Sequence, residues 1–318
     1  MSPFALIFVT AVAAADLDAA RQAQTHGAEL HRQGDLKGAL SEFDRAVRLA
    51  PDSALAWYNR GLVRRDLKNC RAALADFSRA LELQPDFFNA LYQRGNCRQA
   101  LAQYTQALAD YSQAAALPGR IDARFLAYYA RADALRRLGR LEEADADYSH
   151  VMELRGDTTA LRSRAWVSFY RGRWMESYRD VAKYVHDTQA KEPDAAYAVI
   201  LGVLALRRAG RATEASAFLE EWRPQLDGTR WPAPILGYLK DGRADALLAA
   251  AKGRAERTEA RAYLGSDLIA QGEPARGIEL LRQVLREDEP GYLEYDLAYH
   301  ELRRLGLARA VDRRQPKR

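Results

Sequence analysis

Tyr58, Tyr92 and Tyr129 stand in register along this chain. Tyr58 is followed by Leu62 and Arg65, Tyr92 by Asn96, and Tyr129 by Asp133, Arg136 and Arg137. A tyrosine presents a rigid ring and one hydroxyl at small entropic cost, which suits it to anchoring binding surfaces. Three such rings rimmed by guanidinium groups suit non-covalent capture of an extended or helical peptide of acidic character. That is recognition chemistry, without bond making.

Residue sets that break bonds are not assembled. The histidines His26, His31, His150, His186 and His300 are scattered, and His26 and His31 do not share a helical face. There is no glycine-rich phosphate loop, no nucleophile elbow and no Ser/His/Asp pattern. Glu142, Glu143, Asp145 and Asp147 read as the solvated face of a helix. Two cysteines, Cys70 and Cys97, are too few for a zinc or iron–sulfur site. The chain is therefore predicted not to be an enzyme and to need no cofactor or metal. Its 318 residues are 48% hydrophobic and 29% charged, with a net charge of +5 spread among acids throughout. This describes a folded protein without a nucleic-acid footprint.

The elements that must position the tyrosines repeat every 34 residues. Residues 54–87 carry Trp57, Gly61, Ala73, Phe77, Ala80 and Pro85. Gly27, Ala39, Phe43, Ala46 and Pro51 precede their counterparts by one period, and Gly95, Ala107, Tyr111 and Ala114 follow by one. Each period reads as two short helices that cross closely at the small residues, with the aromatic filling the space between. Such a pair cannot bury its apolar face alone and must stack on neighbours. The units run over 16–53, 54–87, 88–121 and 122–158. A degenerate, aromatic unit (Trp166, Phe169, Tyr170, Trp174, Tyr178) spans 159–191, and a sixth spans 196–229, where AAYAVILGVLAL must be buried on several sides. Residues 230–257 break the period as two short helices. A seventh unit and a capping helix fill 258–306, and 307–318 is a basic tail.

This pattern resembles the tetratricopeptide repeat (TPR) family over nearly the whole chain. The resemblance implies an all-α, right-handed superhelical solenoid whose groove is lined by positions 2, 5, 9, 12 and 13 of each first helix. Those positions hold Leu55, Tyr58, Leu62, Arg65 and Asp66, then Asn89, Tyr92, Asn96 and Gln99, then Leu126, Tyr129, Asp133, Arg136 and Arg137. The family's clamp for a C-terminal carboxylate is not matched, because Gln24 and Ala28 replace its Lys and Asn. Arginine pairs recur at 64–65, 136–137, 207–208 and 303–304. One reading is that one of each pair lines the groove; the other is that they serve the helix C-terminus electrostatically.

From Trp231 onward a narrower likeness shows in YLKDG (238–242), RAYLGSDLIAQGEPARGIELLRQVL (261–285) and LEYDLAYHELRRLG (293–306). It is similar to the C-terminal half of the NlpI-type periplasmic TPR lipoproteins. This implies an adaptor that dimerises, here through 258–306, binds cell-wall hydrolases and hands an endopeptidase to a processing protease. The family's lipid anchor needs a cysteine at the cleavage site. Asp16 stands there instead, so membrane anchoring is not supported.

Residues 4–15, FALIFVTAVAAA, end in small residues and predict a signal peptide over 1–15 and a periplasmic protein. A buried first helix in a cytoplasmic protein is the other reading. The second helix of 54–87 and the first of 88–121 should lie side by side, bringing Cys70 toward Cys97. In an oxidising compartment a disulfide is open to them, and two small buried thiols is the alternative. The leading function is a scaffold or adaptor for protein partners in the cell envelope. The rivals are a subunit of an export or polymer-secretion assembly, and a basic scaffold for an anionic envelope polymer.

Overall fold

A computed structural model describes residues 3–308 except 120, 157 and 288–292, with side chains from Asp16 onward other than that of Arg155. The expected signal peptide at 1–15 and nearly all of the basic tail at 307–318 fall outside the described side chains. The described residues hold seventeen α-helices and a short 3-10 turn, Arg223–Gln225, and no strand.

The helices come in pairs: α1 (Pro3–Gln33) with α2 (Leu36–Leu49), α3 (Ala54–Asp66) with α4 (Cys70–Leu83), and α5 (Phe88–Ala100) with α6 (Tyr104–Ala116). Then follow α7 (Ile121–Leu138) and α8 (Leu141–Arg155), α9 (Thr158–Tyr170) and α10 (Trp174–Thr188), and α11 (Ala195–Arg208) and α12 (Ala212–Trp222). The short α13 (Ala233–Asp241) and α14 (Ala244–Ala250) interrupt the series. It resumes with α15 (Arg254–Ala270) and α16 (Pro274–Glu287) and ends at α17 (Leu293–Arg304). The chain divides into two compact units, Met1–Ala134 and Leu135–Arg318.

Local chemistry starts and stops these helices. Asp35, Ser53 and Asn69 cap α2, α3 and α4 by accepting the backbone N–H of Gly38, Ala56 and Ala72. Most turns inside a pair pass through a glycine at positive φ. In the second and third pairs Lys68 (φ 62°) and Ala102 (φ 56°) take that position. A side chain there carries a left-handed penalty of about 1–2 kcal/mol, partly offset by the greater freedom glycine loses on folding. Ala102→Gly is therefore expected to stabilise the first unit by up to about 1 kcal/mol, read from the midpoint of chemical denaturation.

The close crossings predicted from sequence are present. A Cβ at Gly61 would stand 2.7 Å from the Phe77 ring, and one at Gly95 would stand 2.5 Å from that of Tyr111. Behind the crossings runs an ion pair of constant spacing. Arg60 binds Asp76, Arg94 binds Asp110 and Arg164 binds Asp180, each at 2.7 Å and sixteen residues apart. Each arginine also reaches back to the preceding second helix, to Asp44, Ser78 or Ser149. One half-buried guanidinium thus ties two successive repeats.

In the first unit α3 touches both α1 and α5, so the first helices form one row. The second helices α2 and α4 pack between their own first helix and the next, α2 between α1 and α3 and α4 between α3 and α5. In the second unit α9, α11 and α15 touch in the same manner, and α17 lies against α9, α15 and α16. Residues Tyr295 to Leu302 of α17 are all buried. The final helix therefore closes the array from inside. The polar outer face expected of it belongs to α16, where Arg276, Glu279, Arg282 and Arg286 are exposed. The aromatic excess of 159–191 has its reason here. Tyr170 stacks on His300 of α17 at 4.8 Å, and Trp166 lies 5.6 Å from Tyr170.

Candidate functional site

The first-helix row of the first unit keeps an open apolar face. Leu55 and Leu126, near the starts of α3 and α7, are 52% and 41% exposed. Tyr58, Tyr92 and Tyr129 are each half-buried. Their rings are held by neighbours: Tyr58 lies 4.8 Å from Phe87, Phe88 stacks on Tyr92 at 6.2 Å, and Phe125 stacks on Tyr129 at 6.2 Å. Burial pushes the Tyr58 hydroxyl above its ordinary range, against a smaller pull from Arg65, so the group is neutral at physiological pH. Leu62 packs beside Tyr58 on the cluster of Ala73, Phe77 and Cys97.

One turn further along these helices a polar chain crosses the unit. His31 Nε2 meets Asp66 at 2.8 Å, and Arg65 donates to Asp66 at 2.7 Å and to Gln93 at 2.5 Å. Asn96 donates to Gln93 at 3.2 Å and accepts the Tyr111 hydroxyl at 2.8 Å. Gln99 accepts the same hydroxyl at 3.3 Å and donates to Asp133 at 2.8 Å. Burial opposes the charge on Asp66, but hydrogen bonds from Arg65 and His31 outweigh it and hold its carboxyl below the usual range. The sequence reading had set His31 aside as scattered and had not singled out Gln93, Phe88 or Phe125. The signal for His31 was available: His31, Arg65, Gln99 and Asp133 succeed one another at 34 residues.

The arginine rim is placed differently from the expectation. Arg65 is engaged with Asp66 and Gln93 on its own row. Arg136 is 5% exposed and donates to Asp296 of α17 at 2.7 Å, inside the second unit. Arg137 is half-buried in the same last turn of α7. Arg136 therefore spends its charge inside the second unit, whereas the half-buried Arg65 pairs along its own row. The other arginine pairs of the second unit follow Arg136. Arg207 binds the buried Asp267 at 2.7 Å and Arg208 binds the buried Glu301 at 3.0 Å. Arg208 and Arg304 lie over the Trp174 ring at 4.8 and 4.4 Å, and Arg304 shares Glu301. The second unit's first-helix row is thus filled by α17, whereas the first unit's row offers Tyr58, Tyr92 and Tyr129 half-buried beside the exposed Leu55 and Leu126.

The carboxyl of Glu259 bridges α11 to Trp231. Tyr197 donates to it at 2.8 Å and Trp231 at 2.7 Å. Burial raises its pKa above the ordinary glutamate value, against these hydrogen bonds. A raised folded-state pKa penalises the ionised form, so the second unit loses stability as pH rises through the carboxylate range. Glu259→Gln keeps an acceptor oxygen and removes that charge. The variant is expected to melt above the wild type at neutral pH and level with it in acid, as followed by calorimetry.

Sequence profiles described as tetratricopeptide repeat or TPR repeat match residues 27–68, 54–87 and 86–149. No curated protein matches the chain. Among solved structures it is similar to a tetratricopeptide repeat protein from Parabacteroides merdae, at 16% identity and TM-score 0.56, covering 90% of this chain and 99% of that one. It is also similar to YrrB, described as a TPR protein with an unusual peptide-binding site (19%, TM-score 0.50, 65% and 97% covered). A third is PilW, a type IV pilus biogenesis factor (20%, TM-score 0.52, 65% and 95% covered). Residues 27–149 are accordingly tetratricopeptide repeats, and the array to which they belong has the all-α fold of the tetratricopeptide-repeat solenoids.

Proposed function

We propose that this protein is a non-enzymatic adaptor whose first unit holds a segment of a partner protein along α3, α5 and α7. The observation that carries the reading is the half-buried set Tyr58, Tyr92 and Tyr129 beside the exposed Leu55 and Leu126. Rings already fixed by Phe87, Phe88 and Phe125 lose little entropy on binding. The polar chain below them offers both donors and acceptors, so the partner is an apolar segment with hydrogen-bonding groups rather than a strongly charged one. The peptide-binding description of YrrB, a protein of this fold, agrees with the reading. The apolar run at 4–15 and the NlpI-type likeness from Trp231 support a place in the cell envelope. Intact mass and fractionation of the native protein test that part: a chain starting at Asp16 outside the cytoplasm is expected, and a full-length cytosolic species rejects it.

The test of binding is capture from envelope extract by residues 16–318, with the Tyr58/Tyr92/Tyr129 triple alanine variant alongside. Loss of one hot-spot anchor commonly costs about 2 kcal/mol or more, roughly 30-fold in affinity. The triple variant should therefore release the partner while remaining helical by circular dichroism. A variant that retains every partner at wild-type strength removes this row as the site.

A further inference from the structure

We propose that Cys70 and Cys97 form an oxidation site: the two thiols close as a reversible disulfide that staples the second repeat to the third behind the tyrosine row. Cys70 is the first residue of α4 and half-buried, whereas Cys97 lies in the last turns of α5 and is buried. The two helices pack side by side. Cys70 packs against the buried cluster of Ala73, Phe77 and Cys97, close enough to affect the Cys97 thiol. Two cysteines that share one cluster between packed helices are placed for the short separation a disulfide requires.

The site also orders the two steps. Burial first, and the Cys70 thiol beside it, push the Cys97 thiol well above its ordinary pKa, so Cys97 is not the first of the two to react. The half-exposed Cys70 meets the oxidant, a low-molecular-weight disulfide. Its deprotonated sulfur attacks one sulfur of that disulfide, and one small thiolate leaves. Cys97 then gives up its proton and attacks Cys70 Sγ, and the second small thiol leaves. Two protein thiols are oxidised and one external disulfide is reduced to two thiols. Tyr58 and Leu62 rest on the same cluster as the sulfurs, so the bond fixes the wall between the Tyr58 and Tyr92 repeats. The inference stands on the thiol geometry and does not depend on what the row binds.

The experiment treats the folded full-length chain with oxidised glutathione. The expected product has lost two hydrogens, retains no glutathione and shows no free thiol. It melts several degrees higher in its first unit and reverts with dithiothreitol. Cys70→Ser, a change at the half-exposed position, should show no adduct and no shift in melting. Cys97→Ala should stop at a stable glutathione adduct on Cys70. Three outcomes overturn the proposal: wild-type protein that stops at the Cys70 adduct, a disulfide between two chains, and thiols that react only after unfolding.

Discussion

Replacing Asp296 with alanine will destabilise the second unit by about 3–5 kcal/mol, the usual cost of removing one partner from a buried ion pair. Asp296 and Arg136 are almost wholly buried, and their 2.7 Å bond joins α17 to the last turn of α7. Alanine leaves the buried Arg136 guanidinium without this carboxylate. Native-state hydrogen exchange is the measurement to make, because it reads helices separately. Protection should fall in α9, α11, α15 and α17 and remain in α3 to α6, since repeat stability is largely a nearest-neighbour property. Arg136→Ala should do the same from the other side of the pair. Had Arg136 been a rim residue of a binding groove, its loss would lower partner affinity and leave exchange unchanged. A variant with wild-type protection in α9 and α11 would refute the assignment of Arg136 to the core.

A similar loss, again about 3–5 kcal/mol, is expected for Asp110→Ala in the first unit. Asp110 is 2% exposed and receives Arg94 through two nitrogens and Arg98 at 2.7 Å. Two guanidinium groups would lose their shared carboxylate at once. Arg94 would retain only its 3.3 Å contact to Ser78 on the preceding second helix. Asp110→Asn, which keeps the shape and an acceptor, should lose less. The comparison separates lost charge from lost packing, and urea denaturation midpoints decide it. Equal midpoints for wild type and Asp110→Ala would show that the spacing-sixteen pair carries no stability.

Much of the first unit was legible from residue types alone. Gly61 opposite Phe77 and Gly95 opposite Tyr111 recur at the repeat period, and a helix crossing that close admits no side chain on one partner. The approach of Cys70 to Cys97 followed from stacking one helix pair on the next. The pairing of Arg60 with Asp76 and Arg94 with Asp110 was equally available, since both positions advance together by 34 residues. The crossings and the ion pairs lie within one repeat, and both partners of each recur in the sequence once per period.

The contacts of α17 obey no such rule. Arg136 meets Asp296 across 160 residues of sequence, Tyr170 meets Leu293 across 123 and Arg208 meets Glu301 across 93. Each occurs once, so no recurrence announces it, and in the sequence Arg136 is indistinguishable from Arg65. The period therefore determined the helix pairs, their crossings and the row that carries the tyrosines. Tertiary structure decided which arginines are spent on buried carboxylates and which row is filled by the chain's own last helix. The physical reason is that stacking energies are set between neighbours, whereas filling a row depends on where a distant helix comes to rest.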